Sequence, residues 1–351
     1  MWSRSGSSIE RDVEGPLSRN GLPPFGGDLS EVVLKAEGIH SGLRLDVFLS
    51  RCLTDRSRSQ VQRWIQEGRV TVAGKAVKAS RVVEVGDEVL VRLPTETRED
   101  ALLPCPMPLD ILFEDDHILV INKAPGVVVH PGAGRREGTL VHGLLAYTSR
   151  LASQGAPLRP GIVHRLDRNT SGAMVIARSD VAYLDLIRQF KDHRVGKEYL
   201  AIVYGVFRDR RGEIRTGIDR HATDRKKMAV VGSRGREAVS RWEVEEDFGE
   251  VSFLRVWIQT GRTHQIRVHF SHLGHPLVGD STYGGGKRRS QSIHSMELKR
   301  LLNPVDRQML HACRLSFDHP VTSTPLAFAA DPPPDFKDLL RALQSLKQRG
   351  S

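Results

Sequence analysis

Short apolar runs that are typical of β-strands recur from residue 109 onwards, without the regular strand–helix alternation of a parallel α/β fold. Such runs occupy residues 111–113, 118–121, 174–177, 199–204 and 253–258. Helical periodicity appears around 180–192 and around 335–348. In the first of these helices, Leu184, Ile187 and Phe190 share one face. Strand runs with interspersed helices predict an α+β domain with a mixed, mainly antiparallel sheet.

A smaller unit, rich in basic residues, occupies residues 36–93. Apolar residues spaced i, i+3, i+4, i+7 from Leu45 to Cys52 predict one helix. A Ser-x-x-Gln capping box at 57–60 predicts the start of a second helix. Valine-rich runs with intervening turns then predict a small sheet, which completes a compact α/β module. Its Lys and Arg side chains indicate an anionic partner, although a solvated basic face would show the same charge.

Two further stretches set the boundaries of these units. Residues 1–35 are rich in Gly, Ser, Pro and charge and lack periodicity, which predicts a flexible tail. Residues 94–108 contain four prolines and several acidic residues, which predicts a linker. The larger domain then spans 109–351, and within it 284–308 is interpreted as an insertion with a Gly-rich start and a basic cluster.

Charge and cysteine content narrow the class of protein. The chain has 52 Lys and Arg against 42 Asp and Glu, a net charge of +10, which makes nucleic acid the first candidate partner. Three distant cysteines, Cys52, Cys105 and Cys313, argue against a disulfide framework or a cysteine zinc site and fit a reducing cytoplasm. No apolar run approaches the ~18 residues of a membrane span, and the N-terminus lacks the apolar core of a signal peptide.

The densest polar segment is 161–172, in which Asp167 lies between Arg165 and Arg168. Cations beside a carboxylate lower its pKa and keep it ionised, as a nucleophile or base requires. A surface turn in which Asp167 only pairs with arginines fits the spacing equally well. Three known motifs do not fit. The Asp is one residue late for a kinase H-R-D loop, G-x-S-x-G is absent, and Arg288 replaces the Ser or Thr of a P-loop.

A second dense segment, 260–276, contains four histidines within twelve residues. Because no acidic or cysteine ligand is interleaved with them, zinc is less favoured than a polar surface that lines an anionic groove. Alternating apolar residues from 266 to 270 predict a strand, with Arg267 and His269 together on its polar face.

Taken together, these segments resemble the RluA-type pseudouridine synthases, and most closely the RluD-like branch that carries an S4 RNA-binding domain in front. The family's motifs are matched in order and spacing at 161–167, 197–201 and 260–269, and the ending at 310–320 also fits. Residues 128–134, Val-Val-His-Pro-Gly-Ala-Gly, resemble the RluD-like branch in particular. The resemblance extends from about residue 43 to about residue 343. Two departures are Asn169, where an acidic residue is common, and the length of 284–308.

The resemblance implies that uridine in RNA is isomerised to pseudouridine without a cofactor or metal. The N1–C1′ bond breaks, the base rotates, and C5 joins C1′. Asp167 would be the essential carboxylate, attacking the ribose or the base or abstracting a proton, and Arg267 would pair with it. Tyr199 would stack on the target uracil and relay the C5 proton, although a tyrosine in a strand is also an ordinary core residue. Arg165 would contact phosphate or fill the space of the extruded nucleotide.

The basic module looks like an S4 domain, which would hold RNA through its phosphates. The residues expected to contact RNA are Arg56, Arg58, Arg63, Lys75, His130, Arg262, His264 and His269. The RluD-like features imply a stem-loop of large-subunit ribosomal RNA as substrate, with transfer RNA as the alternative. The alternative to an enzyme is a non-catalytic RNA-binding module that uses the same surfaces. We expect a cytoplasmic monomer with no membrane partner.

Overall fold

A computed structural model describes most of the chain, and its residues divide into two compact units, 1–99 and 100–351. The described residues are 30–53, 58–93, 102–132, 136–155, 158–224 and 226–350.

The first unit packs two helices against a four-stranded antiparallel sheet of order β1-β4-β2-β3. Its elements are β1 (Ser30–Lys35), α1 (Leu45–Cys52), α2 (Arg58–Gln66), β2 (Val70–Val72), β3 (Lys75–Ala76) and β4 (Glu88–Leu93), with a 3-10 turn at Gly38–His40. The apolar faces of both helices, including Phe48 and Trp64, bury against valines of the sheet. The predicted α/β module is therefore present.

β1 differs from the sequence prediction, which placed residues 30–35 in the flexible tail. The strand pairs with β4 over its whole length, from Ser30 opposite Leu93 to Lys35 opposite Glu88. The prediction was wrong here because the partner strand lies almost sixty residues further along the chain. The rest of the predicted tail and part of the predicted capping box lie outside the described residues.

The second unit is built on one ten-stranded sheet of order β10-β9-β11-β12-β8-β13-β7-β6-β5, with β14 paired to β13. Its strands are β5 (Asp110–Glu114), β6 (Ile118–Lys123), β7 (Ser171–Ala177), β8 (Gly196–Tyr204), β9 (Arg211–Arg220), β10 (Met228–Val230), β11 (Arg236–Asp247), β12 (Val251–Ile258), β13 (Leu310–Asp318) and β14 (Pro325–Ala329). Only the β13–β7 pairing is parallel among the strand pairs described. This mixed, mainly antiparallel sheet confirms the predicted α+β class.

Helices cover the sheet and bury its apolar residues. They are α3 (Leu140–Tyr147), α4 (Asp180–Lys191), α5 (Gln265–His272), α6 (Lys287–Gln291), α7 (Met296–Leu302) and α8 (Pro334–Gly350). Alternate residues of β6 enter different cores: Leu119 and Ile121 join one, Ile118 and Val120 the other. This is the two-residue period of a strand that is buried on both faces.

Residues of the predicted linker and of the predicted insertion also pack into the cores of the second unit. Leu102 and Met107, in the predicted linker, contact its main core. The predicted insertion, 284–308, contributes α6 and α7, and buried leucines of α7 pack with Phe336 of α8. The helices predicted around 180–192 and 335–348 are confirmed as α4 and α8.

Two details of the helices differ from the sequence predictions. Residues 265–272 form the helix α5 and not a strand, because α5 is buried on all sides from Gln265 to Phe270 and its apolar residues show no helical period. On α4 the fully buried residues are Ala182, Leu186 and Gln189. Of the face predicted from Leu184, Ile187 and Phe190, the first two are 60% and 37% exposed, and Phe190 packs against the core.

Candidate active site

A cleft in the second unit brings together residues from distant parts of the chain. Its lining includes Arg165 and Asp167 from the loop before β7, Tyr199 from β8 and Arg267 from α5. A neighbouring depression shares Arg165, Asp167 and Arg267 and continues toward residues 279–282. The four residues that the resemblance marks as catalytic therefore line one cleft.

Arg267 connects two carboxylates at the centre of this cleft. Its Nη1 donates to Oδ2 of Asp167 at 2.9 Å. Its Nε and Nη2 donate to the two oxygens of Asp280 at 2.6 and 2.9 Å, a bidentate pair. Burial opposes the charged guanidinium, but the hydrogen bonds and charges of Asp280 and Asp167 prevail and raise the pKa of Arg267. The guanidinium is thus fixed from one side by Asp280 and holds Asp167 on the other.

Asp280 is itself fixed by the backbone of its own turn. Its Oδ1 accepts from the N–H groups of Thr282 and Tyr283 at 3.0 and 3.2 Å. The preceding Gly279 has a φ of +80°, and a Cβ there would lie 2.0 Å from the carbonyl oxygen of Arg307. Only glycine fits this approach, so the turn places the Asp280 carboxylate under Arg267. Asp280 was not predicted from the sequence, although a Gly-Asp pair before a turn with an aromatic residue could have indicated it.

Tyr199 belongs both to the core and to the cleft. It lies on β8 opposite Val256 of β12, packs in the main apolar core, and contributes to the cleft lining. Burial, and then the charge of Asp167, raise the pKa of the Tyr199 phenol. The hydroxyl is therefore protonated at neutral pH, and the ring offers a flat apolar surface beside Asp167. The core interpretation and the functional interpretation of Tyr199 are compatible.

Three of the basic residues predicted at the site differ in their surroundings. Arg165 is exposed and forms no ion pair with any residue that the structure describes. Arg262 lines the cleft, and its Nε donates to the carbonyl of Glu237 at 2.8 Å. His130 is buried, and burial together with the charges of Arg159 and Arg165 lowers its pKa to about 4. His130 is therefore a neutral imidazole.

The two histidines of the 260–269 motif are not equivalent. His264 lines the cleft, with its Nε2 3.8 Å from Oδ1 of Asp167. His269 is 0% exposed, and its two ring nitrogens are hydrogen-bonded to Ser240 and Thr216 at 2.9 and 3.0 Å. The prediction that His269 contacts RNA is wrong for this structure, because the helical backbone of α5 turns its side chain into the core.

The basic residues predicted in the first unit also divide into groups. Arg58 donates to the fully buried carboxylate of Asp46 at 2.9 Å, so it supports the module's core. Arg63 forms an i,i+4 ion pair with Glu67 at 3.3 Å and is largely exposed. Lys75 is exposed on β3. Arg56 lies outside the described residues.

Lys123, which was not predicted from the sequence, contacts the loop that carries Asp167. It ends β6, is 2% exposed, and donates to the carbonyls of Ala124, Val127 and Arg168 at 2.7, 3.1 and 3.1 Å. Burial lowers the pKa of the Lys123 ammonium to about 7, against the attraction of Asp167. A lysine at the end of an apolar strand, before a Pro-Gly turn, was the signal in the sequence.

No metal cluster and no membrane-spanning helix occur in the part of the chain that the structure describes. No group of three or more His, Cys, Asp or Glu side chains there is arranged to hold a metal ion. None of the described helices combines the length and apolar character needed to cross a membrane.

Comparison with known proteins defines the class to which this fold and site belong. Residues 117–272 match the family model of RNA pseudouridylate synthase, and residues 43–89 match the S4 domain. These matches describe an RNA-modifying enzyme with an S4 domain in front. The chain belongs to the RNA pseudouridylate synthase family, and it is an isomerase that acts on RNA. The resemblance found in the sequence is confirmed.

Similar proteins cover almost the whole chain. It is 38% identical over 316 residues to the uncharacterized RNA pseudouridine synthase YlyB of Bacillus subtilis, covering 90% of this chain and 99% of that one. It is 42% identical over 303 residues to ribosomal large subunit pseudouridine synthase D of Pseudomonas aeruginosa, covering 86% and 92%. Among solved structures, human RNA pseudouridylate synthase domain containing 1 is similar, with a TM-score of 0.50 and 29% identity over 68% of this chain and 95% of that one.

Proposed function

We propose that this pseudouridine synthase acts on uridines of large-subunit ribosomal RNA, with Asp167 as its essential carboxylate. The substrate is supported by relatives from Pseudomonas aeruginosa and Vibrio vulnificus, which are named ribosomal large subunit pseudouridine synthase D and are 42% identical to this chain. A ribosomal substrate also agrees with the net charge of +10 and with the cytoplasmic location that the cysteines indicate.

The observation that carries the catalytic assignment is the Asp167–Arg267 contact beside Tyr199. Because Asp280 holds Arg267 through two hydrogen bonds, the Asp167 carboxylate has a fixed position in the cleft. A carboxylate in this place can attack C1′ or the base, or remove a proton from the ribose. Each route ends with the N1–C1′ bond broken, the base rotated, and C5 joined to C1′.

The target base would lie against the Tyr199 ring, and base–aromatic stacking contributes about 1–3 kcal/mol. Because its raised pKa keeps the phenol protonated, Tyr199 would not act as a phenolate base. As a relay, its hydroxyl would pass its own proton on as it takes up the proton from C5. Arg165, exposed at the mouth of the same cleft, is placed to meet the phosphate or the gap that the extruded nucleotide leaves. No cofactor is assigned to any of these steps.

A loop is the physically favoured target within ribosomal RNA. Unstacked loop bases enter a pocket at a cost of only a few kcal/mol, whereas bases in a duplex stay hidden in the deep, narrow groove. Charge alone does not select a loop, so selection depends on the shape of the cleft and its polar lining, including Arg262 and His264.

The direct test is pseudouridine mapping of ribosomal and transfer RNA from cells with and without this protein, complemented by Asp167→Asn. We expect the sites in large-subunit RNA to disappear without the protein and to stay absent with Asp167→Asn. Asp209→Asn, an exposed carboxylate in the turn before β9, is the matched control and should restore them. Loss of transfer RNA sites instead would contradict the substrate, and activity of Asp167→Asn would contradict the catalytic assignment.

A further inference from the structure

His264 occupies the point where the cleft and its neighbouring depression meet. It directly precedes α5 and has a φ of +58°, a left-handed conformation that is uncommon for a histidine. Its Nε2 is 3.8 Å from Oδ1 of Asp167, which is too long for a hydrogen bond. Its Nδ1 is 2.7 Å from the hydroxyl oxygen of Tyr283. One ring nitrogen is therefore engaged, and the other faces the catalytic carboxylate.

The hydrogen bonds around Tyr283 determine which nitrogen of His264 carries the proton. The Tyr283 hydroxyl oxygen accepts from the backbone N–H of Met228 at 2.9 Å, and it has one hydrogen of its own to donate. The nearest acceptor is Nδ1 of His264. The opposite arrangement, with Nδ1 as donor, would leave the hydroxyl hydrogen of a residue that is only 9% exposed without an acceptor, which is costly.

The remaining proton is consequently on Nε2, and the ring is neutral. Burial lowers the pKa of His264, and the nearby guanidiniums of Arg267 and Arg165 add to this effect, while Asp167 and Asp280 oppose it. Tyr283 is held in turn by the guanidinium of Arg267, 4.9 Å from its ring. The result is a neutral imidazole whose Nε2–H has no hydrogen-bond acceptor among the residues described and lies beside Asp167.

We infer that His264 is a further catalytic residue, which donates its Nε2–H to a carbonyl oxygen of the target uracil, and that Tyr283 is its positioning residue. This inference rests on the proposal that a uridine binds beside Asp167. When the N1–C1′ bond breaks, its electron pair stays with the uracil, and the negative charge spreads over N1, O2 and O4. A fixed donor at one of these oxygens stabilises that charge without moving a proton. C5 then bonds to C1′, its proton passes to a base, and N1 gains a proton.

The first measurement is the tautomer of His264 in the free, full-length protein, obtained from its ring ¹⁵N chemical shifts. We expect an unprotonated Nδ1 and a protonated Nε2. Tyr283→Phe removes the hydroxyl and keeps the ring, so the shifts should move toward a tautomer mixture. This readout needs no substrate, and a purely structural role of Tyr283 would not move it. A protonated Nδ1 in the wild-type protein would overturn the inference.

The second measurement is the single-turnover rate at saturating substrate RNA. His264→Asn removes the Nε2 donor while tolerating the positive φ, and we expect a loss of about 10²-fold with little change in Kd. His264→Gln places an amide N–H at a similar reach and should recover part of the rate. Thermal unfolding of both variants checks that they are folded.

A substrate carrying 2-thiouridine or 4-thiouridine at the target identifies the oxygen. Sulfur is the weaker acceptor, so the substitution that removes this hydrogen bond should slow the wild-type enzyme and add little to the loss in His264→Asn. Additive losses for both substrates, or a near wild-type rate for His264→Asn, would refute the inference. Turnover by Asp167→Asn would instead refute the proposed function, so the two failures are distinguishable.

Discussion

The buried Lys123 makes a prediction about pH and stability that can be calculated from the structure. Its ammonium donates to the carbonyls of Ala124, Val127 and Arg168, and its burial lowers the lysine pKa from 10.5 to about 7. The folded protein therefore binds fewer protons than the unfolded chain at pH values between about 7 and 10.5. Because the unfolded state binds more protons in this window, the contribution of Lys123 to stability rises with pH.

Lys123→Met isolates this contribution, since methionine has a similar length and no charge. One pKa unit corresponds to about 1.4 kcal/mol, so the full displacement corresponds to about 5 kcal/mol. Below pH 7 the variant no longer has to bury a charged ammonium. It also leaves three carbonyls without a donor, at about 1–3 kcal/mol each, so the two effects largely offset each other. From pH 7 to pH 9, the free energy of unfolding of the wild type minus that of the variant should therefore rise by about 2 kcal/mol.

Urea unfolding of the full-length wild type and Lys123→Met at pH 6, 7, 8 and 9 measures this difference. Lys191→Met, an exposed lysine at the end of α4, is the reference for the loss of one positive charge. A difference between wild type and Lys123→Met that stays flat from pH 7 to 9 would show that Lys123 keeps its proton. The same flat difference would follow if the attraction of Asp167 outweighed burial, because a pKa above 10.5 changes stability only at pH values above this range.

Three further predictions concern residues around the cleft. Asp280→Asn leaves the buried Arg267 guanidinium with one carboxylate fewer, so the free energy of unfolding should fall by about 3–5 kcal/mol. A loss of less than 1 kcal/mol in chemical denaturation would contradict the pairing of Arg267 with both Asp280 and Asp167. Tyr199→Phe keeps the stacking face but not the hydroxyl, so RNA affinity should be retained while single-turnover rates fall. Weaker RNA binding with an unchanged single-turnover rate would exclude the relay role of the hydroxyl. His269→Leu removes two buried hydrogen bonds and should lower stability without changing the salt dependence of RNA binding. If the slope of log K against log salt concentration became shallower by about 0.7–0.9 instead, His269 would contact a phosphate after all.

The sequence predicted the fold class, and it singled out residues that the structure brings into one cleft, but the two results came by different routes. The α+β class followed from the order of apolar runs along the chain, without reference to any known family. Asp167, Tyr199 and Arg267 were placed together by their match to family motifs, because no local rule joins residues that are 100 positions apart, as Asp167 and Arg267 are. Periodicity then failed at α5, since a helix buried on all sides offers no polar face to mark its turns.

Residues whose partners are distant backbone groups were not predicted. Lys123 donates to the carbonyl of Arg168, 45 positions away, and the Tyr283 hydroxyl accepts from the N–H of Met228, 55 positions away. Backbone groups carry no sequence signature, so such contacts appear only once the chain is folded. The same is true of β1, whose partner is set by sheet topology and not by its own composition.

The helix α5 shows why a buried segment carries so many polar residues. Gln265 and His269 are one turn apart, and both bond to the Ser240 hydroxyl of β11, so they attach the helix to the sheet at two successive turns. Gln265 also accepts from the N–H of Arg262, which fixes the turn that precedes the helix. With both anchors on β11, Arg267 has little freedom to shift relative to the carboxylates that it joins. Most of the polar residues of this motif therefore act on the protein itself, and they hold the Arg267 guanidinium in contact with Asp167.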